Sequence, residues 1–251
     1  MATDKTEALQ QTSTGTPTDL LTILRSGALT LRGIFRAGSN YTFLADVTLG
    51  KCHIEAVYKP TEGEQPLWDF PHGSLAKREE AAYLVSHALG WGLVPPTVYR
   101  DGPHGPGSLQ QFVEFDDADH YFNFTTEEKA ACKRVAVFDY LINNADRKGS
   151  HVVRGIDGKM WLIDHGLCFH SKNKLRTVIW DYAGKKMPAE LGYDLKKFVD
   201  NSQAVKNLAY DLSYLLTKDE IDAFFARVQH VVITARLPQP GQERSYPWPP
   251  L

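Results

Sequence analysis

The sequence predicts an α+β fold in two lobes: an N-terminal antiparallel sheet with one helix, then a C-terminal lobe that is mostly helical. Two observations support this prediction. Short runs with apolar residues at alternate positions dominate up to about residue 116, whereas helical periodicity dominates after it. A length of 251 residues is enough for two small lobes or one large domain. We therefore expect an N-terminal lobe over residues 19–115 and a C-terminal lobe over residues 116–237.

Both ends of the chain differ in composition from the lobes. Residues 1–18 are rich in Thr, Gln and Ser, which predicts a disordered lead-in without the apolar run of a signal peptide. Residues 238–251 form a Pro-rich tail, which is expected either to pack through Tyr246 and Trp248 or to be loose. No stretch approaches the roughly 18 apolar residues that span a bilayer, so we expect no integral membrane segment.

Charge and cysteine usage limit the class of protein. The net charge is −2 and the sequence has no basic block, so it does not indicate a nucleic-acid partner. Cys52, Cys132 and Cys168 match neither metal-finger spacing nor a disulfide framework. A reducing, cytoplasmic setting is the expectation.

The first lobe is predicted to contain five extended segments and one main helix, preceded by a short helix at the start of the lobe. Asp19 and Ser74 are expected to cap helices. The predicted helices cover residues 20–26 and 75–90, the predicted strands cover 29–36, 41–49, 52–59 and 108–115, the chain is extended over 94–97, and 99–107 form a turn-rich loop.

The second lobe is predicted to contain four helices and a hairpin. Thr125 with Glu128, and Thr217 with Glu220, have the spacing of capping boxes. An Asp-Gly pair between two short apolar runs predicts a hairpin. The predicted helices cover 125–141, 188–199, 202–216 and 218–236, and the hairpin strands cover 152–154 and 159–163.

Two aspartates lie at the ends of this hairpin. Asp146 precedes it and Asp164 follows it, so the hairpin should bring both carboxylates to the same end. A metal–phosphate site needs one carboxylate to align a nucleophile and another to hold Mg²⁺. Taken singly, each aspartate could instead be a turn former or a helix cap.

The first lobe supplies the other residue types that phosphoryl transfer needs. Lys59 ends a strand and shares a face with Val57, and Glu79 lies where a helix could present it to that lysine. Ser39 and Asn40 lie in a hairpin tip whose backbone N–H groups could face an anion. A solvated lysine, an unpaired glutamate and an ordinary turn are the alternatives. The order of these parts along the chain is that of a bilobal kinase.

Four segments carry a resemblance to a known family. VYKP (57–60), REEAAYLVSHALGWGLVPPT (78–97), FDYLINNADRKGSH (138–151) and LIDHGLCFH (162–170) resemble the catalytic domain of the phosphatidylinositol 3-/4-kinase-like group, in particular a small actinobacterial branch. The resemblance implies a protein-kinase-like fold that uses ATP and Mg²⁺.

The resemblance also implies a role for individual residues. Lys59 would contact the α- and β-phosphates and Glu79 would pair with it. Asp146 would be the catalytic carboxylate, Arg147 would steady its loop and Asp164 would hold the metal. The adenine would lie along the lobe connector, which is formed by Gln111, Phe112 and Val113.

One position departs from the family pattern. Five residues after the loop aspartate the family has an asparagine as a second metal ligand, and this chain has His151. A neutral imidazole ligates Mn²⁺ or Zn²⁺ well but suits Mg²⁺ poorly. Either the metal preference has shifted toward Mn²⁺, or His151 does not ligate, or catalysis is weakened.

Three functions therefore stay open at this point. The leading hypothesis is an ATP-dependent kinase acting on an unidentified small-molecule or protein acceptor. Lipid specificity does not follow, since the segment between Asp164 and Trp180 offers only Lys172, Lys174 and Arg176 as basic residues. The alternatives are a nucleotide-binding pseudokinase or regulatory module, and a protein nucleotidyltransferase on the same fold.

Overall fold

The computed structural model describes residues 19–35, 40–242 and 244–251. The lead-in over residues 1–18, and Ser39 in the hairpin tip, lie outside the described residues. No helix in these ranges is both long enough and apolar enough to cross a bilayer.

The first half of the chain builds an antiparallel five-stranded sheet with the strand order β1-β2-β3-β5-β4. Alternate side chains of its strands, including Ala45, Val47, Ala56 and Tyr58, are fully buried and form its apolar core. The elements are α1 (Leu20–Ser26), β1 (Ala28–Phe35), β2 (Thr42–Leu49), β3 (Cys52–Pro60), α2 (Leu75–Ala88), β4 (Thr97–Gly102) and β5 (Gly105–Gln111).

The prediction of a turn-rich loop over residues 99–107 is wrong, because this segment belongs to the β4–β5 hairpin. Its glycines indicated turns, yet Gly107 is needed for close packing within the sheet: a Cβ there would lie 2.4 Å from the carbonyl oxygen of Lys59. Gly105 has a φ of +80° at the reversal, where its carbonyl accepts from the Tyr58 hydroxyl. The strand expected over 108–115 is divided, and residues 112–114 connect β5 to the next strand.

The second half is mostly helical, with one three-stranded sheet in the order β6-β7-β8. Phe138, Leu141, Leu195, Phe224 and Val228 are fully buried in the largest apolar cluster, to which α2 also contributes. The elements are β6 (Phe115–His120), α3 (Thr126–Ala131), α4 (Lys133–Ile142), β7 (Val152–Gly155), β8 (Met160–Leu162), α5 (Ala189–Asp200), α6 (Ser202–Leu212) and α7 (Lys218–Thr234).

Helix boundaries follow the capping chemistry in part. Both predicted capping boxes are confirmed, since Thr125 and Thr217 each exchange two hydrogen bonds with the glutamate three residues on. The single helix expected over 125–141 is instead two helices that meet at Cys132, whose N–H is shared between the carbonyls of Glu128 and Lys129. The helix expected to reach residue 216 ends at Leu212.

Asp19 and Ser74 occupy the N-cap positions of α1 and α2, but the capping bonds predicted for them are absent, because neither side chain accepts from a backbone N–H of its helix. The Ser74 hydroxyl donates to the carbonyl of Pro71 instead. The first N–H groups of α2, those of Leu75 and Ala76, donate to the carboxylate of Glu64 at 3.2 and 2.8 Å. A capping residue from outside the helix leaves no local signal at Ser74.

The tail packs back on the second lobe, but not through the aromatic residues. Tyr246 and Trp248 are exposed, whereas Ser245 and Pro247 are buried. The carbonyl of Pro250 accepts from the N–H of Gly149 at 2.8 Å. The tail therefore reaches the loop that contains Asp146.

Candidate active site

A cleft of about 490 Å³ lies where the first lobe meets the second. It gathers almost every residue that the sequence singled out. Arg147 lies outside its lining, and Ser39 is outside the described residues. The cleft is lined by Asn40, Lys59, Glu79, Gln111, Phe112, Val113, Asp146, His151 and Asp164, among others.

Lys59 lies at the centre of a three-residue ion cluster. The register of β3 turns this side chain to the cleft face while Tyr58 enters the sheet core. Its Nζ lies 2.5 Å from Glu79 Oε1 and 3.2 Å from Asp164 Oδ1. Burial alone would lower the Lys59 pKa, but the charges of Asp164 and Glu79 outweigh burial and raise that pKa above its usual value. The ammonium is therefore permanently charged, as phosphate binding requires.

Glu79 connects the lysine strand to the second aspartate. Its other oxygen, Oε2, accepts from the backbone N–H of His165 at 2.9 Å. Burial opposes ionisation of this carboxyl, but the Lys59 ammonium outweighs burial and lowers the Glu79 pKa to about 2. One buried carboxylate on α2 thus fixes both Lys59 and the backbone beside Asp164.

Asp164 holds a backbone conformation that few non-glycine residues adopt. Its φ is +59°, in the left-handed region, which asparagine and aspartate tolerate better than other side chains. The side chain is half exposed and faces the cleft, and its Oδ2 lies 3.4 Å from His151 Nε2. The Lys59 charge holds the pKa of Asp164 well below its ordinary value, so the carboxylate is ionised.

Asp146 is positioned by the loop that follows α4. Its N–H donates to the side-chain oxygen of Asn144 at 2.9 Å, and Ala145 N–H donates to the carbonyl of Leu167. The nearest cation is Lys148, whose Nζ lies 3.6 Å from Asp146 Oδ2. Burial raises the Asp146 pKa to about 6, within the range suited to a general base near neutral pH.

Arg147 lies beneath the surface of the cleft and does not line it. It is fully buried, and its Nε donates to both carboxylate oxygens of Asp139 at 3.0 and 3.2 Å. Its Nη1 donates to the carbonyls of His151 and Ile163 at 3.1 and 2.9 Å. Arg147 therefore links the loop of Asp146 to the strand end that carries Asp164.

His151 lies between the two aspartates. Its Nδ1 is 3.1 Å from the carbonyl oxygen of Asp146, and its Nε2 faces Asp164. Burial lowers the His151 pKa to about 4, so the ring is neutral at neutral pH. A carbonyl oxygen only accepts, so Nδ1 carries the proton and the Nε2 lone pair is free to coordinate a cation.

The donor set fits a metal ion that the nucleotide helps to hold. Asp164 and His151 offer two ligands, and within the described ranges no group of three His, Cys, Asp or Glu side chains could hold a metal by itself. Mg²⁺ is commonly bound by one or two carboxylates together with phosphate oxygens and water, as Asp164 could provide, whereas the imidazole of His151 suits Mn²⁺ better. The pair therefore suits a metal–nucleotide complex better than a free ion.

The connector between the lobes lines the cleft with Gln111, Phe112 and Val113. Phe112 N–H donates to the carbonyl of Glu55 at 3.0 Å, which ties the connector to β3. Val113 follows, and across the described residues its backbone N–H and carbonyl have no protein hydrogen-bond partner. These are groups that an adenine ring could bond.

Lys148 and Asn144 are site residues that the sequence reasoning missed. Lys148 lines the cleft beside Asp146 and is the second cation there after Lys59. Its position two residues after the loop aspartate was the available signal. Asn144 gave no signal of its own, because its role depends on side-chain contacts with Asp139 and with the Asp146 N–H.

Fold and site together define a kinase-like protein, and solved structures share this architecture. The structure of hydra Fam20 with sugar covers 86% of this chain and 87% of its own, with a TM-score of 0.58 at 15% identity. The Helicobacter pylori proinflammatory kinase CtkA covers 82% and 92%, with a TM-score of 0.53 at 10% identity. At such identities the likeness concerns the fold alone.

Sequence comparison defines the family. The phosphatidylinositol 3- and 4-kinase profile matches residues 75–217, more than half of the chain. Protein Rv2133c of Mycobacterium tuberculosis is 40% identical over 263 residues, covering 90% of this chain and 94% of that protein. Phosphatidylinositol 4-kinase gamma 4 of Oryza sativa is 30% identical over 181 residues, which cover 58% of this chain and 32% of that protein. The chain belongs to the phosphatidylinositol 3- and 4-kinase family.

Proposed function

We propose that this protein is an ATP-dependent phosphotransferase that moves the γ-phosphoryl group of ATP to a small-molecule or protein acceptor. The observation that carries the proposal is the placement of the Lys59–Glu79–Asp164 cluster and Asp146 in one cleft. A cation that binds phosphates, a carboxylate that holds a metal ion and a second carboxylate that orients the nucleophile are the parts that phosphoryl transfer requires. Family membership supports the reaction class.

Each residue has a defined task in this reaction. Lys59 binds the α- and β-phosphates while Glu79 keeps its ammonium in place. Asp146 orients the acceptor and takes its proton as the acceptor oxygen bonds to the γ-phosphorus and the bond to the bridging oxygen of ADP breaks. Lys148 stabilises the charge on the transferred group.

Asp164 and His151 would hold the divalent metal, Mg²⁺ or Mn²⁺, which when bound neutralises charge on the phosphates. The adenine would lie against the connector, where the free backbone groups of Val113 offer one donor and one acceptor. Residues 19–115 and 116–237 would act as the two lobes that enclose the nucleotide. A cytoplasmic location belongs to the same proposal, supported by the unpaired state of all three cysteines.

One observation favours a second candidate, a nucleotide-binding module with little turnover. The neutral imidazole of His151 stands where the family has a second oxygen ligand, and imidazole is a poor ligand for Mg²⁺. In that case the cleft binds ATP without efficient transfer. Nucleotidyl transfer has no comparable observation in its favour.

The test is incubation with a cell extract and ATP labelled at either the α- or the γ-phosphate, with Mg²⁺ or Mn²⁺. Transfer of γ-label alone supports the proposal, and transfer of α-label indicates nucleotidyl transfer instead. Nucleotide binding without transfer of either label supports the binding module. Asp146→Asn should lower γ-transfer by at least about 100-fold.

Asp157→Asn is the matched control. Asp157 lies in the turn of the β7–β8 hairpin, where its carboxylate accepts from the N–H of Lys159, and it does not line the cleft. This variant should retain full transfer. Equal activity of the Asp146 and Asp157 variants would contradict the proposal.

A further inference from the structure

Three consecutive residues of α2 reach three different parts of the molecule. Glu79 binds Lys59 and the N–H of His165, and Glu80 accepts from the N–H of Tyr99 in β4. Arg78 also reaches the second lobe, where it contacts Cys168 and Glu220. It is 1% exposed and is among the largest fully buried side chains.

The Arg78 guanidinium joins α2 to two segments of the second lobe. Its Nη2 lies 2.5 Å from Glu220 Oε1, and its Nη1 donates to the carbonyl of Cys168 at 2.5 Å. The ring of Phe70 lies 4.9 Å from the guanidinium carbon. Cys168 is four residues beyond Asp164, so Arg78 also touches the segment that carries the candidate metal ligand.

Glu220 is itself fixed on the far side. Its Oε2 accepts from the N–H of Thr217 at 2.9 Å in the capping box of α7. One carboxylate thus caps α7 with one oxygen and holds Arg78 with the other. Glu220 is 6% exposed, so both charges of the pair are shielded from water.

This geometry limits how α2 can move. Rotation or outward displacement of α2 would pull Glu79 from Lys59 and from His165, and it would also separate two buried charges. Separating a buried pair is strongly unfavourable, because it leaves a charge without a partner. The lysine–glutamate pair is therefore stabilised by the contacts of the neighbouring residue, Arg78, with the second lobe.

We propose that Arg78 is a positioning residue that holds α2 where Lys59 and the backbone beside Asp164 are ready for a nucleotide, without an activating partner or modification. That the site binds a nucleotide rests on the proposed function, whereas the contacts of Arg78 are independent of it. Loss of the two guanidinium contacts should therefore make the nucleotide site less rigid and weaken nucleotide binding, although Arg78 does not line the cleft.

The test compares Arg78→Lys with the wild-type protein by hydrogen exchange and by affinity for a non-hydrolysable ATP analogue with Mg²⁺. Lysine keeps the charge, but a single ammonium does not reproduce the planar two-armed contact to Glu220 and the Cys168 carbonyl. Arg154→Lys is the matched control, since Arg154 makes a two-armed contact with Asp119 in the second lobe, away from α2.

In Arg78→Lys, exchange in residues 75–82 and 163–168 should rise about tenfold, and affinity for the analogue should fall about tenfold or more. The control should match the wild-type protein in both measurements. Faster exchange confined to residues 217–222 would overturn the inference, since the pair would then only secure α7. Unchanged affinity despite faster exchange in 163–168 would also overturn it.

The two proposals fail in different ways. If the wild-type protein binds no nucleotide but Arg78→Lys shows the faster exchange, the proposed function fails and the positioning of α2 stands. If Arg78→Lys does not fold, Glu220→Gln tests the same contact from the second lobe, with the same exchange pattern expected. Failure of both variants to fold would overturn the positioning role and make the pair a requirement of the fold.

Discussion

His151 Nε2 and Asp164 Oδ2 lie 3.4 Å apart in the cleft. The His151 ring is neutral because burial lowers its pKa to about 4, and its proton is on Nδ1, which donates to the carbonyl of Asp146. A lone pair and a carboxylate oxygen therefore face each other. A cation between His151 Nε2 and Asp164 Oδ2 would stabilise this arrangement. Imidazole nitrogen favours Mn²⁺ over Mg²⁺.

Replacement of His151 by asparagine should change the metal preference. We expect the ratio of the Mn²⁺-supported to the Mg²⁺-supported rate to fall about tenfold in His151→Asn, because an amide oxygen suits Mg²⁺ and an imidazole nitrogen does not. Binding of Mn²⁺ in the presence of an ATP analogue, followed by electron paramagnetic resonance, should weaken in the same variant.

His53→Asn is the control for this substitution. His53 lies on an exposed part of β3 beside Asp46 and away from the cleft. Its replacement should leave the metal ratio unchanged. The same ratio in the wild-type protein and in both variants would remove His151 from the metal site.

The sequence predicts a candidate site residue where the residues around it in the chain form a recognisable strand, helix or hairpin pattern. Asp146 and Asp164 flank a short hairpin, so their nearness follows from the length of that hairpin. The nearness of Lys59 and Glu79 follows from strand and helix periodicity together with the order of kinase elements. Local pattern together with the order of kinase elements was sufficient to predict that these four side chains share one cleft.

Contacts between distant segments could not be predicted in this way. Arg78 and Glu220 are separated by 142 positions, and neither has a neighbour that suggests a partner. Glu64 caps α2 from a preceding loop, and Arg147, which was expected to steady the loop of Asp146, is paired with a buried partner, Asp139, that was not predicted. Each depends on tertiary packing, which sequence periodicity does not encode.

The rate of transfer should depend on the ionisation of Asp146. Burial raises its pKa to about 6, and only the ionised carboxylate can accept the proton of the acceptor. We therefore expect kcat/KM to rise between pH 5 and 7 with an apparent pKa near 6 and to fall about tenfold per pH unit below that point. A profile that is flat from pH 5 to pH 7 would exclude Asp146 as the base.

The same carboxylate should destabilise the fold at neutral pH. Its pKa is about 6 in the folded protein against an ordinary 3.8, so folding disfavours the ionised form. Asp146→Asn should therefore raise the free energy of unfolding by about 1–3 kcal/mol above pH 6. This increase in the free energy of unfolding should shrink as the pH falls from 6 to 4. It should vanish below pH 4, where Asp146 is protonated in the folded and in the unfolded protein.

Urea unfolding at pH 4 and pH 8, in the presence of EDTA, measures this difference. Asp157→Asn is again the control, because that carboxylate is 42% exposed and should give no gain at either pH. Lower stability of the Asp146 variant at pH 8 would show that the carboxylate stabilises the fold and would contradict the burial argument.

Glu79 should have the opposite effect on stability. Its pKa is lowered from 4.5 to about 2, so its ion pair with Lys59 stabilises the fold above pH 4.5, and this stabilisation is lost as the pH falls toward 2. At pH 7, Glu79→Gln should lose on the order of 2–3 kcal/mol of unfolding free energy relative to the wild-type protein. The difference in unfolding free energy between the two proteins should become smaller as the pH falls from 4.5 to 2.

Thermal unfolding over that pH range checks the prediction for Glu79. Glu62→Gln is the control, because Glu62 is exposed in the turn after β3 and should show no gap at pH 7. A gap for Glu79→Gln that stays constant down to pH 2 would mean that the charge of Glu79 does not stabilise the fold.

The tail should support the loop that contains Asp146. Pro250 accepts from the N–H of Gly149 at 2.8 Å, and the Ser245 carbonyl accepts from Thr177 N–H and from Trp180 Nε1, each at 3.1 Å. Removal of residues 245–251 exposes these three donors, each at a cost of about 0.5–1.5 kcal/mol. We therefore expect a lower melting temperature and a several-fold lower kcat, with nucleotide affinity retained because these hydrogen bonds join the tail to the second lobe and not to Lys59 or Glu79.

A separate Trp248→Ala variant should match the full-length protein, since that side chain is 77% exposed. A truncated protein with wild-type kcat would show that the loop of Asp146 holds its conformation without the tail.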